Sequence, residues 1–160
     1  MDNILNILEK NARLTNAQVA VLAGLSEKEV EKKVKEYEQN GSIVGYKAII
    51  DWDRTDCEHI SALIEIKVSP QKDTGFDKVA NIICDFAEVK SLYLMSGGYD
   101  LAVTIEGKTM KEVAMFVAKR LSTMEGVTAT ATHFVLKKYK DEGIVFCNNN
   151  KDERGYTWVW

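Results

Sequence analysis

The chain has 160 residues, 46% of them hydrophobic, and a formal charge of −3 at neutral pH. That is material for one ordinary core or two small ones, and it excludes a nucleic-acid binder that works through whole-protein charge, so any contact with phosphate must come from a local surface. There is no secretory leader pattern and no apolar run near the roughly 20 residues that span a bilayer; Cys57, Cys84 and Cys147 are odd in number, far apart and without a CxxC pair, so the expectation is a cytoplasmic protein with reduced thiols, no cofactor, no metal and no membrane partner.

Ile4, Ile7 and Leu8 recur at helical spacing and predict a first helix through about Asn11. Thr15 with Gln18 makes a capping box for a second helix, Asn16 to Ala23, which Gly24 ends. Ser26 with Glu29 makes another only three residues later, opening a third helix from Glu27 to Gln39 that turns Val30, Val34 and Tyr37 inward before Gly41 stops it. Ile43 to Asp51 reads as a β-ribbon wing. Two capped helices across a glycine turn, behind a third, form the helix-turn-helix plan, whose last helix enters the major groove of double-stranded DNA; trihelical units of this kind also serve as protein-interaction modules.

Beyond residue 59 the period changes to two. Ile60, Ala62, Ile64, Ile66 and Val68 alternate along a strand that Pro70 closes, and Phe76, Val79, Ala80 and Ile83, after Thr74, mark an amphipathic helix. Val89 to Met95 predicts a second strand, with Gly97-Gly98 as a tight turn into a third from Leu101 to Glu106. Thr109 and Glu112 form a capping box for a helix that buries Val113, Phe116, Val117, Leu121 and Met124; Gly126 ends it before a last strand from Val127 to about Lys137. The order β-α-β-β-α-β is the ferredoxin-like plan, helices on one sheet face. Leu63, Leu92, Leu94, Phe134 and Leu136 supply apolar material on or near the other face, which a homodimer would cover.

The segment from Ile4 through Ala20-Val21-Leu22-Ala23-Gly24-Leu25-Ser26, with Val30, Lys32-Lys33 and Gly41 to Tyr46, and then Glu88-Val89, Ser96-Gly97-Gly98-Tyr99-Asp100-Leu101 and Gly126-Val127, resembles the leucine/asparagine-responsive (Lrp/AsnC, feast/famine) transcription regulators over about residues 2 to 140. The resemblance implies an α+β chain: a winged helix-turn-helix at 1–46, a hinge strand near Ala48 to Asp51 within a linker at 47–59, and a ferredoxin-like (RAM/AsnC-type) effector-binding and dimerisation domain at 60–140. It also implies a homodimer that often assembles into an octamer, with an amino-acid effector bound between subunits at Ser96, Gly97, Gly98, Tyr99 and Asp100. Glycines there admit backbone N–H groups to a carboxylate, and an aspartate can pair with an ammonium group. Thr128, Thr130 and Thr132 alternate along the last strand and would line the same cavity; an ordinary hairpin and good strand formers account for the same residues.

The third helix carries four lysines against five glutamates. Lys28, Lys32, Lys33 and Lys35 are the candidates to reach DNA, with Ser26, Asn16 and Lys47 on phosphate. Its acidity leaves a second reading, an effector sensor that modulates a related regulator in mixed assemblies without touching DNA. An enzyme akin to haem-precursor decarboxylases would need a histidine-centred cluster, and the two histidines, His59 and His133, form none in the chain, so no catalytic residues are expected. Residues 141–160 are expected to form a C-terminal arm whose Tyr156, Trp158 and Trp160 alternate as one face of a short strand would, packed on the same or a partner subunit or closing as a lid over the effector pocket.

Overall fold

A computed structural model describes residues 3–69 and 75–146. Pro70, Thr74, Cys147 and the expected aromatic arm with Tyr156, Trp158 and Trp160 lie outside the described residues. The chain divides into two compact units between Ile49 and Ile50.

In the first unit α1 (Asn3–Lys10), α2 (Asn16–Ala23) and α3 (Glu27–Gln39) close on a small core of Ile4, Leu8, Val19, Ala20 and Val30, sealed by Leu14, Val34, Tyr37 and Ile43. Both capping boxes form. The Thr15 hydroxyl accepts from the Gln18 N–H at 3.3 Å while the Gln18 side-chain Oε1 accepts from the Thr15 N–H at 2.9 Å, and Ser26 and Glu29 exchange the same pair of bonds at 3.3 and 2.9 Å. Between the helices Gly24 sits at φ +69°, a left-handed conformation that costs a side chain free energy, and the Leu25 N–H turns back to the Ala20 carbonyl at 3.1 Å. After α3 the Ile43 N–H bonds to the Tyr37 carbonyl at 3.0 Å, which folds Ile43 onto the core. The expected ribbon over Ile43–Asp51, and the hinge strand over Ala48–Asp51 within it, is not found: this stretch carries no strand. A ribbon needs two hydrogen-bonded strands, and among the described residues none pairs with it.

The second unit is a four-stranded antiparallel sheet in the order β2-β3-β1-β4, made of β1 (Ile60–Val68), β2 (Val89–Leu94), β3 (Leu101–Gly107) and β4 (Val127–Phe134). Helices α4 (Asp77–Cys84) and α5 (Met110–Phe116) bury Val79, Ile83, Val113 and Phe116 against Ala62, Ile64, Ile66 and Val68 of β1 and Leu101, Val103 and Ile105 of β3. The helix after Thr109 departs from expectation twice. Thr109 caps Glu112 N–H at 3.1 Å, but the Glu112 carboxylate accepts from the Lys108 N–H at 2.8 Å, one residue before the reciprocal position. Its last turn, Val117–Leu121, widens to a π-helix in which the Ser122 N–H reaches the Val117 carbonyl at 2.8 Å, and Val117 and Leu121 both stay buried against the sheet. A two-residue-per-strand hairpin, β5 (Lys140–Asp141) with β6 (Ile144–Val145), follows the sheet.

Register corrects the open face. Cross-strand partners share a face, so Phe134, opposite Ala62, and Leu92, opposite Val103, belong to the helix side, where both pack on the core. Leu94 pairs with Leu101 on that side as well, and Leu136 lies beyond β4, which ends at Phe134 rather than Lys137. Leu63, opposite Thr104 and His133, is the expected residue that does face outward, among Glu65, Lys67, Ala102, Ala129, Ala131 and Glu106. The period of two assigned the parity of β1 but not the parity of its neighbours, which depends on register.

Truncation of Ile64, fully buried at the sheet centre, is expected to cost about 3 kcal/mol as Ile64→Ala, whereas Leu136→Ala, at 87% exposure, should change stability by less than about 0.5 kcal/mol. Urea unfolding of the two variants followed by circular dichroism checks this ordering.

Candidate functional site

At 100° per residue, Lys28, Lys32, Lys35 and Gln39 fall within one narrow sector of α3, opposite the Val30, Val34 and Tyr37 that hold it to the core. Three cations thus stand on the solvent side of a capped helix. Gln39 was not singled out from the sequence, although its spacing of four from Lys35 and seven from Lys32 is the signal that finds it. Lys33 lies off this stripe, its ammonium 6.0 Å from the Tyr37 ring centroid.

The glutamates are largely engaged within the unit. Glu29 turns back to cap the helix, accepting from the Ser26 hydroxyl at 2.6 Å and its N–H at 2.9 Å, and these bonds hold its carboxyl below the ordinary glutamate value. Glu31 bonds to Lys35 at 2.8 Å, which lowers the carboxyl and raises the ammonium. Glu38 accepts from the Tyr46 hydroxyl at 2.9 Å; burial first, then this bond, pushes the phenol up. No sequence signal announced that last contact, because the partners lie eight residues apart across the end of the helix. Ser26 is thus committed to the cap, Asn16 is half-buried in the first turn of α2, and Lys47 is exposed beside Tyr46 at the rim of a groove of about 460 Å³ that also takes in Leu5, Leu8, Ala12 and Val44. On α2, Val21 and Leu22 are exposed.

The second set of candidates lies at the β2–β3 connection. The loop is closed by the Met95 N–H on the Asp100 carbonyl at 2.7 Å, which makes it longer than the two-residue turn expected. Gly97 sits at φ +157°, a conformation that side chains rarely adopt, and Ser96, Gly97 and Gly98 are exposed while Tyr99 and Asp100 are half-buried. The N–H groups of Gly97, Gly98 and Tyr99 take no acceptor among the described residues. Asp100 is engaged on β1: its N–H donates to the Ile66 carbonyl at 3.0 Å and its carboxylate accepts from the Val68 N–H at 2.8 Å. The threonines are dispersed. Thr130 and Thr132 pair with Ile66 and Ile64 and so face the helix layer, where Thr130 bonds to the Ser122 hydroxyl at 3.0 Å; Thr128 donates to the Lys67 carbonyl at 3.2 Å.

His59 stacks on Trp52 with ring centroids 5.1 Å apart and lies 3.4 Å from the Glu106 carboxylate; His133 lies 3.6 Å from Glu65. Among the described residues no group of three or more histidine, cysteine, aspartate or glutamate side chains is placed to hold a metal.

Residues 61–145 match the Lrp/AsnC ligand binding domain and residues 3–44 a winged helix-turn-helix DNA-binding domain. The chain is 45% identical over 152 residues to the HTH-type transcriptional regulator YugG of Bacillus subtilis, covering 94% of this chain and 92% of that protein. It is 29% identical to the HTH-type transcriptional regulator LrpA of Pyrococcus abyssi, over 86% of this chain and 94% of that one. Among solved structures it is similar to the transcriptional regulator NMB0573 of Neisseria meningitidis in complex with L-methionine, with a TM-score of 0.71 and 26% identity over 87% of this chain and 89% of that chain. It shares its fold with Escherichia coli AsnC, at a TM-score of 0.66 and 21% identity over 86% and 90% of the two chains.

The Ser26–Glu29 cap carries a pH dependence. Because the folded carboxyl is lowered, its contribution is complete above the unfolded glutamate value of about 4.3 and is lost as pH falls through the lower folded one. Ser26→Ala is therefore expected to destabilise the protein at neutral pH, with the gap from wild type narrowing below about pH 4. Thermal melts of both proteins across an acid series read that difference.

Proposed function

The chain belongs to the Lrp/AsnC family of transcription regulators, and on that premise we propose that it reads promoter DNA with the outward face of α3 and answers to a free amino acid at the β2–β3 loop. The observation that carries the DNA reading is the disposition of charge on α3. Lys28, Lys32 and Lys35 share the outward stripe with Gln39, while Glu29 and Glu38 are drawn into contacts at the two ends of the helix. Glu31 pairs with Lys35 at the edge of the stripe, so Lys28 and Lys32 carry most of the field that a phosphate would meet. In this reading Gln39 and the lysines of the stripe are base-edge readers, and Lys33, Lys47, Asn16 and Ser26 are candidates of lesser weight for phosphate.

The effector reading rests on the unpaired N–H groups of Gly97, Gly98 and Tyr99, which suit the α-carboxylate of an amino acid, with Ser96 at the loop's entrance. The L-methionine bound to the Neisseria regulator supports a small amino acid as the ligand class. A second copy of the chain is the proposed cover for the open sheet face around Leu63, Ala129 and Ala131, and higher assembly up to an octamer would build on that dimer.

Titrated with its own promoter fragment, the protein is expected to bind with an affinity that falls steeply with salt. Lys28→Ala and Lys32→Ala should each weaken binding by about 1–3 kcal/mol and relax the base preference at the position read. Absence of any salt-sensitive binding would overturn the DNA reading and leave the mixed-assembly sensor. A thermal-shift series over the proteinogenic amino acids should raise the melting temperature for at least one of them, since a ligand that binds only the folded state stabilises it; no response to any would remove the sensor. In sedimentation, Leu63→Glu is expected to run at half the mass of the wild-type dimer, and an unchanged mass would exclude the open face as the interface.

A further inference from the structure

Four hydrogen bonds converge on one short stretch at the end of β1. The Ile66 carbonyl accepts from the Asp100 N–H at 3.0 Å, the Lys67 carbonyl from the Thr128 hydroxyl at 3.2 Å, the Val68 N–H donates to the Asp100 carboxylate at 2.8 Å, and the Ser69 N–H donates to the Gly126 carbonyl at 2.8 Å. Here the β1–β4 ladder slips: Lys67 pairs with Ala129 but Val68 with Val127, so Thr128 has no partner residue on β1. A bulge of this kind leaves backbone groups that the regular ladder no longer serves. Side chains from two different connections serve them, Asp100 from the β2–β3 loop and Thr128 from the start of β4.

We infer that Asp100 and Thr128 are positioning residues that fix the effector loop to the β1 bulge, and that neither is itself a contact to the effector. This deepens the effector reading above and rests on it for its functional consequence. A carboxylate accepting a partly buried backbone N–H at 2.8 Å is a charge-assisted bond whose loss would strand the Val68 N–H inside the sheet margin. The same residue ties the loop twice more through its own backbone, to Ile66 and to Met95. Asp100 therefore sets where the Gly97, Gly98 and Tyr99 amides point. On the opposite strand the Thr128 hydroxyl does for the Lys67 carbonyl what Asp100 does for the Val68 N–H. An effector drawn onto the loop amides would pull on the bulge through Asp100 and reach β4 through Thr128, a route that runs over backbone hydrogen bonds.

The two roles separate on conservative variants of the full chain. Asparagine keeps an oxygen that can accept the Val68 N–H but removes the charge, whereas alanine removes both. Positioning predicts that, without ligand, the Val68 amide of Asp100→Ala exchanges with solvent about tenfold to a hundredfold faster than wild type, while Asp100→Asn stays near wild type. It also predicts that D100N keeps the thermal-shift response to whichever amino acid stabilises the wild type. Thr128→Val should speed exchange at the bulge and Thr128→Ser should not. An unchanged Val68 exchange rate in D100A would overturn the inference, as would a D100N variant that has native exchange yet no amino-acid response, since that is the signature of an ammonium ligand. If D100A does not fold, D100N decides: native exchange with the amino-acid response retained supports positioning, and fast exchange or a lost response refutes it. Should the wild type answer to no amino acid, the effector reading fails while the ligand-free exchange arm still decides the role of Asp100.

Discussion

Strand β1 is hydrogen-bonded on both edges and buried on one face, and most of the second unit follows from that constraint. Ala62, Ile64 and Ile66 are fully buried and Val68 nearly so, which requires α4 and α5 to lie over them and requires every neighbour to present its own apolar parity to the same side. Small and large residues alternate across the sheet centre: Ala62 sits between Phe134 and Ile105, which gives the larger side chains room beneath the helices. The other face carries Leu63 among small and charged groups, Ala102, Ala129 and Ala131 beside Glu65, Lys67 and His133, with His133 and Glu65 facing one another at 3.6 Å.

The regularity of β1 ends at Lys67 and Val68, and the loop proposed to hold an effector is attached at that end. Where a ladder is regular the backbone satisfies itself and a ligand has nothing to act on; where it slips, side chains must complete the bonding, and those side chains become levers. In the first unit the same economy governs charge. An exposed carboxylate on a reading helix would repel phosphate, but Glu29 is used by the cap that starts the helix and Glu38 by the phenol of Tyr46 that follows it. The interactions that terminate α3 engage two of its five glutamates at the helix ends, while Glu31 pairs with Lys35 on the outward stripe itself.

Much of the architecture is legible in one dimension because its causes are local. Capping boxes at Thr15–Gln18 and Ser26–Glu29, the left-handed Gly24 between them and the two-residue period of β1 each depend on residues a few positions apart, and α2, α3 and β1 have the bounds those signals predict. The π-helical turn at Val117–Leu121 and the early end of β4 escaped because each is decided by packing against the sheet and not by the segment itself. The ribbon over Ile43–Asp51 failed for another reason: strand propensity supplies one strand, and a ladder needs two.

For the candidate site the division is sharper. The sequence by itself determined which residue types are present and on which helical face they stand: the lysine stripe of α3 and the glycine pair of the β2–β3 loop follow from spacing and composition alone. Only the tertiary structure decided what those residues are free to do. Asp100 is bonded to Val68, thirty-two positions away, and Thr128 to Lys67, sixty-one positions away. Thr130 and Thr132 face the helix layer because the register of β4 on β1 sets them opposite Ile66 and Ile64. Such contacts depend on how distant strands are aligned, and no periodicity within either strand encodes that alignment.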